Sequence, residues 1–180
     1  MKTQSPLSTI LLVAMLSTTV HSQSDSLKAL RVIERNLSGP RLGLTLVPGD
    51  DEIGRFLDHE GMKRTVSQFG WHSEFCVTPR GGGPSFLVEF IPLIGGVEYA
   101  KLIPNISLMF GIRTVGGFEF GMGPNMIAFV SQGEAQTALV MAIGKSFSFD
   151  GMNIPVNLAY VTNPHGVRIG LILGYAIERN

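Results

Sequence analysis

The chain has 180 residues with 14 basic and 14 acidic side chains, and 44% of its residues are apolar. Balanced charge removes the electrostatic basis for nucleic-acid or polyanion binding, and a lone cysteine, Cys76, excludes an intramolecular disulfide and any cysteine-rich metal site. This length fits one domain that closes a core or a barrel without staples.

The first residues, MKTQSPLSTILLVAMLSTTVHSQS, carry one Lys, a seven-residue apolar run from Ile10 to Leu16, and small residues around Val20, His21 and Ser22. Residues 1–22 are therefore expected to be a secretory signal peptide, because the run is far too short to span a bilayer. Its removal takes away only Lys2, leaving 13 basic and 14 acidic residues in an exported chain of 158. No later stretch approaches the roughly 18 apolar residues of a spanning helix, so a membrane location would require a barrel.

Residues 23–40 are expected to form a tether or short helix, since Leu27, Leu30, Ile33 and Leu37 recur at helical spacing. A second short helix is expected in a loop, in DDEIGRFLDHEG. There Asp50 and Asp51 precede Ile53, Phe56 and Leu57, and Gly61 supplies the stop.

From Arg41 onward the apolar period becomes two, which defines a barrel domain over residues 41–180. Eight strands are predicted, at 41–47, 65–77, 85–93, 106–115, 117–123, 136–149, 154–162 and 166–177. With short links and no long intervening helices, the expected fold is all-β: an antiparallel up-and-down β-barrel of about eight strands.

Each strand has one large and one small face. In GVRIGLILGYAI, Val167, Ile169, Leu171, Leu173, Tyr175 and Ile177 oppose Arg168, Gly170, Ile172, Gly174 and Ala176. Likewise Phe69, Trp71 and Phe75 oppose Gln68, Gly70, His72 and Glu74, and Phe118, Phe120 and Met122 oppose Gly117, Glu119 and Gly121. A soluble barrel turns its large face inward and needs a solvent face rich in Lys, Thr, Asp and Glu, which the small face lacks. A transmembrane barrel turns the large face to lipid and fills a narrow lumen with small residues and mutually neutralising charges. The second arrangement is favoured, with Arg41, His72, Glu74, Glu89, Arg113, Glu119 and Arg168 as a luminal charged network. Lys145 falls on the large face, acceptable near an interface, where Trp71, Phe147, Phe149 and Tyr160 are candidates for an aromatic girdle.

Signal segment, size, alternation and luminal charges together resemble the small eight-stranded outer-membrane barrels of Gram-negative bacteria, the OmpA transmembrane-domain and OmpX type, over roughly residues 41–177. The resemblance implies outer-membrane insertion with lipid as the surrounding partner. It has one departure: those barrels commonly finish on an aromatic residue, whereas this chain ends YAIERN.

Chemistry is sparse. In WHSEF, Ser73 alternates away from His72 and Glu74, so these three do not form a triad on a regular strand. The histidines at 21, 59, 72 and 165 show no metal-ligand spacing, and GGFEFGMG lacks the context of a phosphate loop. No catalytic residue, cofactor or metal is expected. The expected function is that of an exported, non-enzymatic outer-membrane barrel whose loops make its contacts. The alternative is a soluble periplasmic or secreted lipocalin-like barrel around an apolar ligand.

Overall fold

The computed structural model describes residues 30–31, 37–130, 133–150 and 152–177. The expected signal peptide lies outside the described residues, as does most of the tether. Among these residues ten strands are present: β1 Leu30–Arg31, β2 Gly39–Leu46, β3 Thr65–Pro79, β4 Ser85–Gly95, β5 Ile103–Arg113, β6 Phe118–Phe129, β7 Glu134–Phe149, β8 Met152–Asn163, β9 Gly166–Gly174 and β10 Ala176–Ile177. Among the described residues one helix, α1, spans Glu52–His59, and one 3-10 turn spans Val97–Tyr99.

Strands β2 to β9 each pair antiparallel with the next, and β9 pairs with β2, so the sheet closes on itself as an eight-stranded up-and-down barrel. Closure leaves no long unpaired edge. Within residues 23–40, expected as a tether or short helix, Leu30 and Arg31 are extended, pairing with Pro79 and Thr78 where β3 runs beyond the start of β2.

All eight predicted strands are found, and β6 corrects the sequence reading most. Expected at 117–123, it continues through Gly123, Pro124 and Asn125 to Phe129. These residues look like turn punctuation but serve the sheet. Pro124 faces outward opposite Leu139, and pairing with β5 skips over it, between Ser107↔Asn125 and Phe110↔Met122, where Pro has no N–H to give. A Cβ on Gly123 would collide with the Leu108 carbonyl of β5.

The large face points outward. Leu42 is 68% exposed, Phe75 55% and Ile143 57%, with Trp71, Phe90, Phe110, Phe120, Leu158, Leu171 and Leu173 exposed on the same side. Eight charged residues lie within β2 to β9, and the alternation places only Lys145 outward. Its Nζ lies 4.4 Å from the centre of the Phe118 ring and 5.6 Å from that of Phe147, so its charge is stabilised by aromatic faces.

Helix α1 closes one end. Asp51 caps it, Oδ1 accepting from Gly54 N at 2.9 Å. At its other end Gly61 N donates to the Asp58 carbonyl and Met62 N to that of Leu57. Its apolar stripe, Ile53 and Leu57, packs into the barrel mouth against Val47, Met62, Val66, Ile103, Ile127 and Phe129. Phe56 adds a tilted ring contact to Phe129, centroids 4.3 Å apart. This cap end carries the long connection 47–64 and the loops 96–102, 130–133 and 164–165. The opposite, terminal end carries the short links 80–84, 114–117 and 150–151 and the points where the chain enters and leaves the barrel.

Candidate functional site

Polar chemistry is concentrated in the lumen, in two groups. The first, toward the terminal end, combines residues from five consecutive strands. Glu74 of β3 stands directly opposite Glu89 of β4, and Arg113 of β5 opposite Glu119 of β6. Two facing carboxylates repel, and the surrounding cations offset that. Arg113 grips Glu74 with both terminal nitrogens, Nη1 to Oε1 at 2.8 Å and Nη2 to Oε2. Its Nε donates to Glu119 Oε1 at 2.7 Å, and Ser146 Oγ donates to the same oxygen at 3.3 Å. This bidentate geometry is available to Arg but not to Lys.

Arg41 and His72 complete the group, 3% and 2% exposed. Arg41 Nη2 lies 2.7 Å from the Leu37 carbonyl and 2.9 Å from His72 Nδ1. A guanidinium only donates, so Nδ1 accepts and the ring proton sits on Nε2. From there it is donated to Glu89 Oε1 at 3.1 Å. The Leu37 carbonyl also lies 3.3 Å from Nδ1. Arg41 needs space across β9, and Gly174 provides it: a Cβ there would collide with the guanidinium.

The second group lies nearer the cap. Arg168, 3% exposed, donates through Nη2 to Asn125 Oδ1 at 2.7 Å. Asn125 Nδ2 donates to Asn105 Oδ1 at 2.5 Å and Ser107 Oγ at 2.9 Å, while Gln68 donates to Thr45. Along β5 the inward positions run Ile103, Asn105, Ser107, Met109, Gly111, Arg113, so Met109 and Gly111 separate the groups. Of the seven charged positions singled out in the sequence, six therefore gather in one cluster and Arg168 does not join it. Alternation gives the face a residue takes, whereas strand position and neighbour decide whom it meets. The neutral amides that hold Arg168 carry no charge signal and are passed over in a search for charges.

Ser73 is exposed on the outer wall while His72 is buried inside, as the alternation in WHSEF requires. His72, Glu74 and Glu89 are, among the described residues, the one set of His, Cys, Asp and Glu whose ligand atoms converge, all within 4.8 Å of one another. Spacing along the chain misses this set because its third member comes from the neighbouring strand. The only hint is His-x-Glu, which places two side chains on one face of a strand.

Little room remains inside. Two luminal spaces of about 50 and 40 Å³ lie among the described residues, the first touching Glu89, Glu119 and Arg168, the second beneath α1. At roughly 10–15 Å³ for each water centre, they hold a few waters apiece.

No family model matches this chain, and no curated protein or solved structure does either.

Proposed function

We propose that the protein is an exported outer-membrane β-barrel without enzymatic activity, anchored by its wall and acting through the loops of its cap end. The observation that carries this reading is the outer wall, whose strands present a continuous apolar surface broken by one charge, Lys145. Water makes such a surface costly, at roughly 25 cal/mol per Å², and hydrocarbon does not. Seven of the eight barrel strands have at least the roughly 9–11 residues of a tilted spanning strand, from 9 in β9 to 16 in β7, and β2 is shorter with 8. The two longest connections, 47–64 and 96–102, both lie at the cap end, in keeping with the asymmetry of such barrels, and on that reading the cap end faces outside the cell.

The soluble, lipocalin-like alternative is less well supported. It needs an inward apolar face and a ligand cavity of some 300–1,000 Å³, whereas the luminal spaces here are about 50 and 40 Å³.

Fractionation tests the proposal. The protein should stay with the outer membrane through a carbonate wash, and its electrophoretic band should shift on boiling. Leu171→Arg places a charge mid-wall at a cost of about 2–4 kcal/mol, and should abolish both the membrane retention and the heat-shifted form. A wild-type protein recovered in the soluble periplasm, or a Leu171→Arg variant that inserts normally, overturns the reading.

A further inference from the structure

We propose that His72, Glu74 and Glu89 form a binding site for one divalent transition-metal ion of the class that accepts mixed imidazole and carboxylate ligands, with Zn²⁺ as the reference case. The proposal concerns the lumen and does not depend on what surrounds the wall.

Geometry comes first. The three ligand atoms lie within 4.8 Å of one another, on two adjacent strands whose facing pair is Glu74↔Glu89. The donor set of one imidazole nitrogen and two carboxylates suits zinc and its first-row neighbours. His72 Nε2 and Glu89 Oε1, 3.1 Å apart, now share a proton that a metal ion would replace.

Charge comes second. Two of the ligands, Glu74 and Glu89, stand directly opposite each other on adjacent strands, where like charges repel. A cation held between them would turn that repulsion into attraction.

An outer partner for the imidazole stands within reach. A metal-bound imidazole characteristically donates its other N–H to a carbonyl or carboxylate. When Nε2 takes the metal, the ring stays neutral with its proton on Nδ1, and the Leu37 carbonyl stands 3.3 Å away to receive it. Arg41 then gives up Nδ1 and keeps the Pro40 carbonyl, 3.2 Å from Nη1. Arg113 does not use up Glu74, because a carboxylate has about four lone-pair directions and a bidentate guanidinium takes two. With three protein ligands, a fourth position is left for water, and the 50 Å³ space that touches Glu89 can supply it.

The experiment uses the full chain, stripped with EDTA and titrated with Zn²⁺. One tight equivalent should bind, raising the unfolding midpoint as free Zn²⁺ increases. X-ray absorption should show one imidazole nitrogen and carboxylate oxygens at about 2.0–2.2 Å. His72→Gln and Glu89→Gln should weaken binding by more than the roughly 10–100-fold that loss of an outer partner costs. His59→Ala and His165→Ala, at the surface, should leave it unchanged. Absence of a tight equivalent, binding that survives in both luminal variants, dependence on His165, or sulfur scattering from Cys76 would each overturn the site. If neither luminal variant folds, stoichiometry and the absorption spectrum of the wild-type protein decide.

Discussion

Asp51 serves two elements at once. Oδ1 accepts from Gly54 N at the start of α1, and Oδ2 accepts from Val167 N at 3.1 Å near the start of β9. Beside it Glu52 N donates to the His165 carbonyl at 3.1 Å, and His165 Nδ1 pairs with the Glu52 carboxylate. One side chain thus fixes the helix and ties it to the rim of the barrel. Loss of an N-cap costs about 0.5–2 kcal/mol, and Asp51→Ala also strands the Val167 amide. Asp51→Ala should destabilise the cap by about 1–2 kcal/mol, read as faster amide exchange in residues 52–59. Asp51→Asn keeps one accepting oxygen and turns a donor NH2 toward the other amide, so it should lose an intermediate amount. Equal losses in the two variants would show that the retained capping bond contributes nothing.

At the scale of elements, the connection 47–64 is held by ion pairs on its outer surface. Arg64 donates to Asp58 through Nε at 2.9 Å and Nη2 at 2.6 Å, and to Asp50 at 2.9 Å. Lys101, from the β4–β5 loop, reaches Glu60 at 2.5 Å. The Arg64 hydrogen bonds hold the Asp58 carboxyl below its usual range, and the Lys101 hydrogen bond does the same for Glu60. A carboxylate with a lowered folded-state pKa adds stability that is present above its unfolded value, about 4, and is lost as pH falls through the folded value. Acidification below about pH 4 should therefore loosen residues 47–64 before the barrel strands, seen as exchange in α1 rising ahead of β4 and β5. Arg64→Gln should show a loosened α1 already at neutral pH and a smaller further response to acid, the part that the Lys101–Glu60 pair carries. Simultaneous loss of protection in helix and strands would contradict this.

The same elements show what the sequence disclosed. Helix α1 was legible because Asp51, the Ile53 and Leu57 stripe and Gly61 are local signals, and the faces of β3 and β9 were legible because a period of two needs no partner. The full length of β6 was not, since Pro124 and Gly123 suit a turn by propensity and a strand only once β5 lies against them. Convergence of His72 on Glu89 and the separation of Arg168 from Arg41 depend on register and on position along the strands, which alternation within one strand does not encode.

For the whole molecule, the decisive property is that the barrel is filled. Val47, Ile53, Leu57, Met62, Val66, Ile103, Ile127 and Phe129 form an apolar plug under the helix. Beside the Arg168 group, with Ile91 opposite Ser107, Leu93 opposite Asn105 and Val161 opposite Arg168, lies a second apolar cluster that also holds Met109, Val140 and Ala159. An ion crossing the lumen would have to shed its water, at a cost of several kcal/mol, in spaces of about 50 and 40 Å³. Reconstituted in a planar bilayer, the protein should therefore give no steady single-channel conductance. Leu57→Asp, which puts a carboxylate in the plug, should admit water at the cap end and speed exchange there, yet still not conduct, because the second cluster remains. Steady conductance in the wild type would mean that the lumen opens far beyond this structure. Conductance confined to the Leu57→Asp variant would make the plug under α1 the sole barrier.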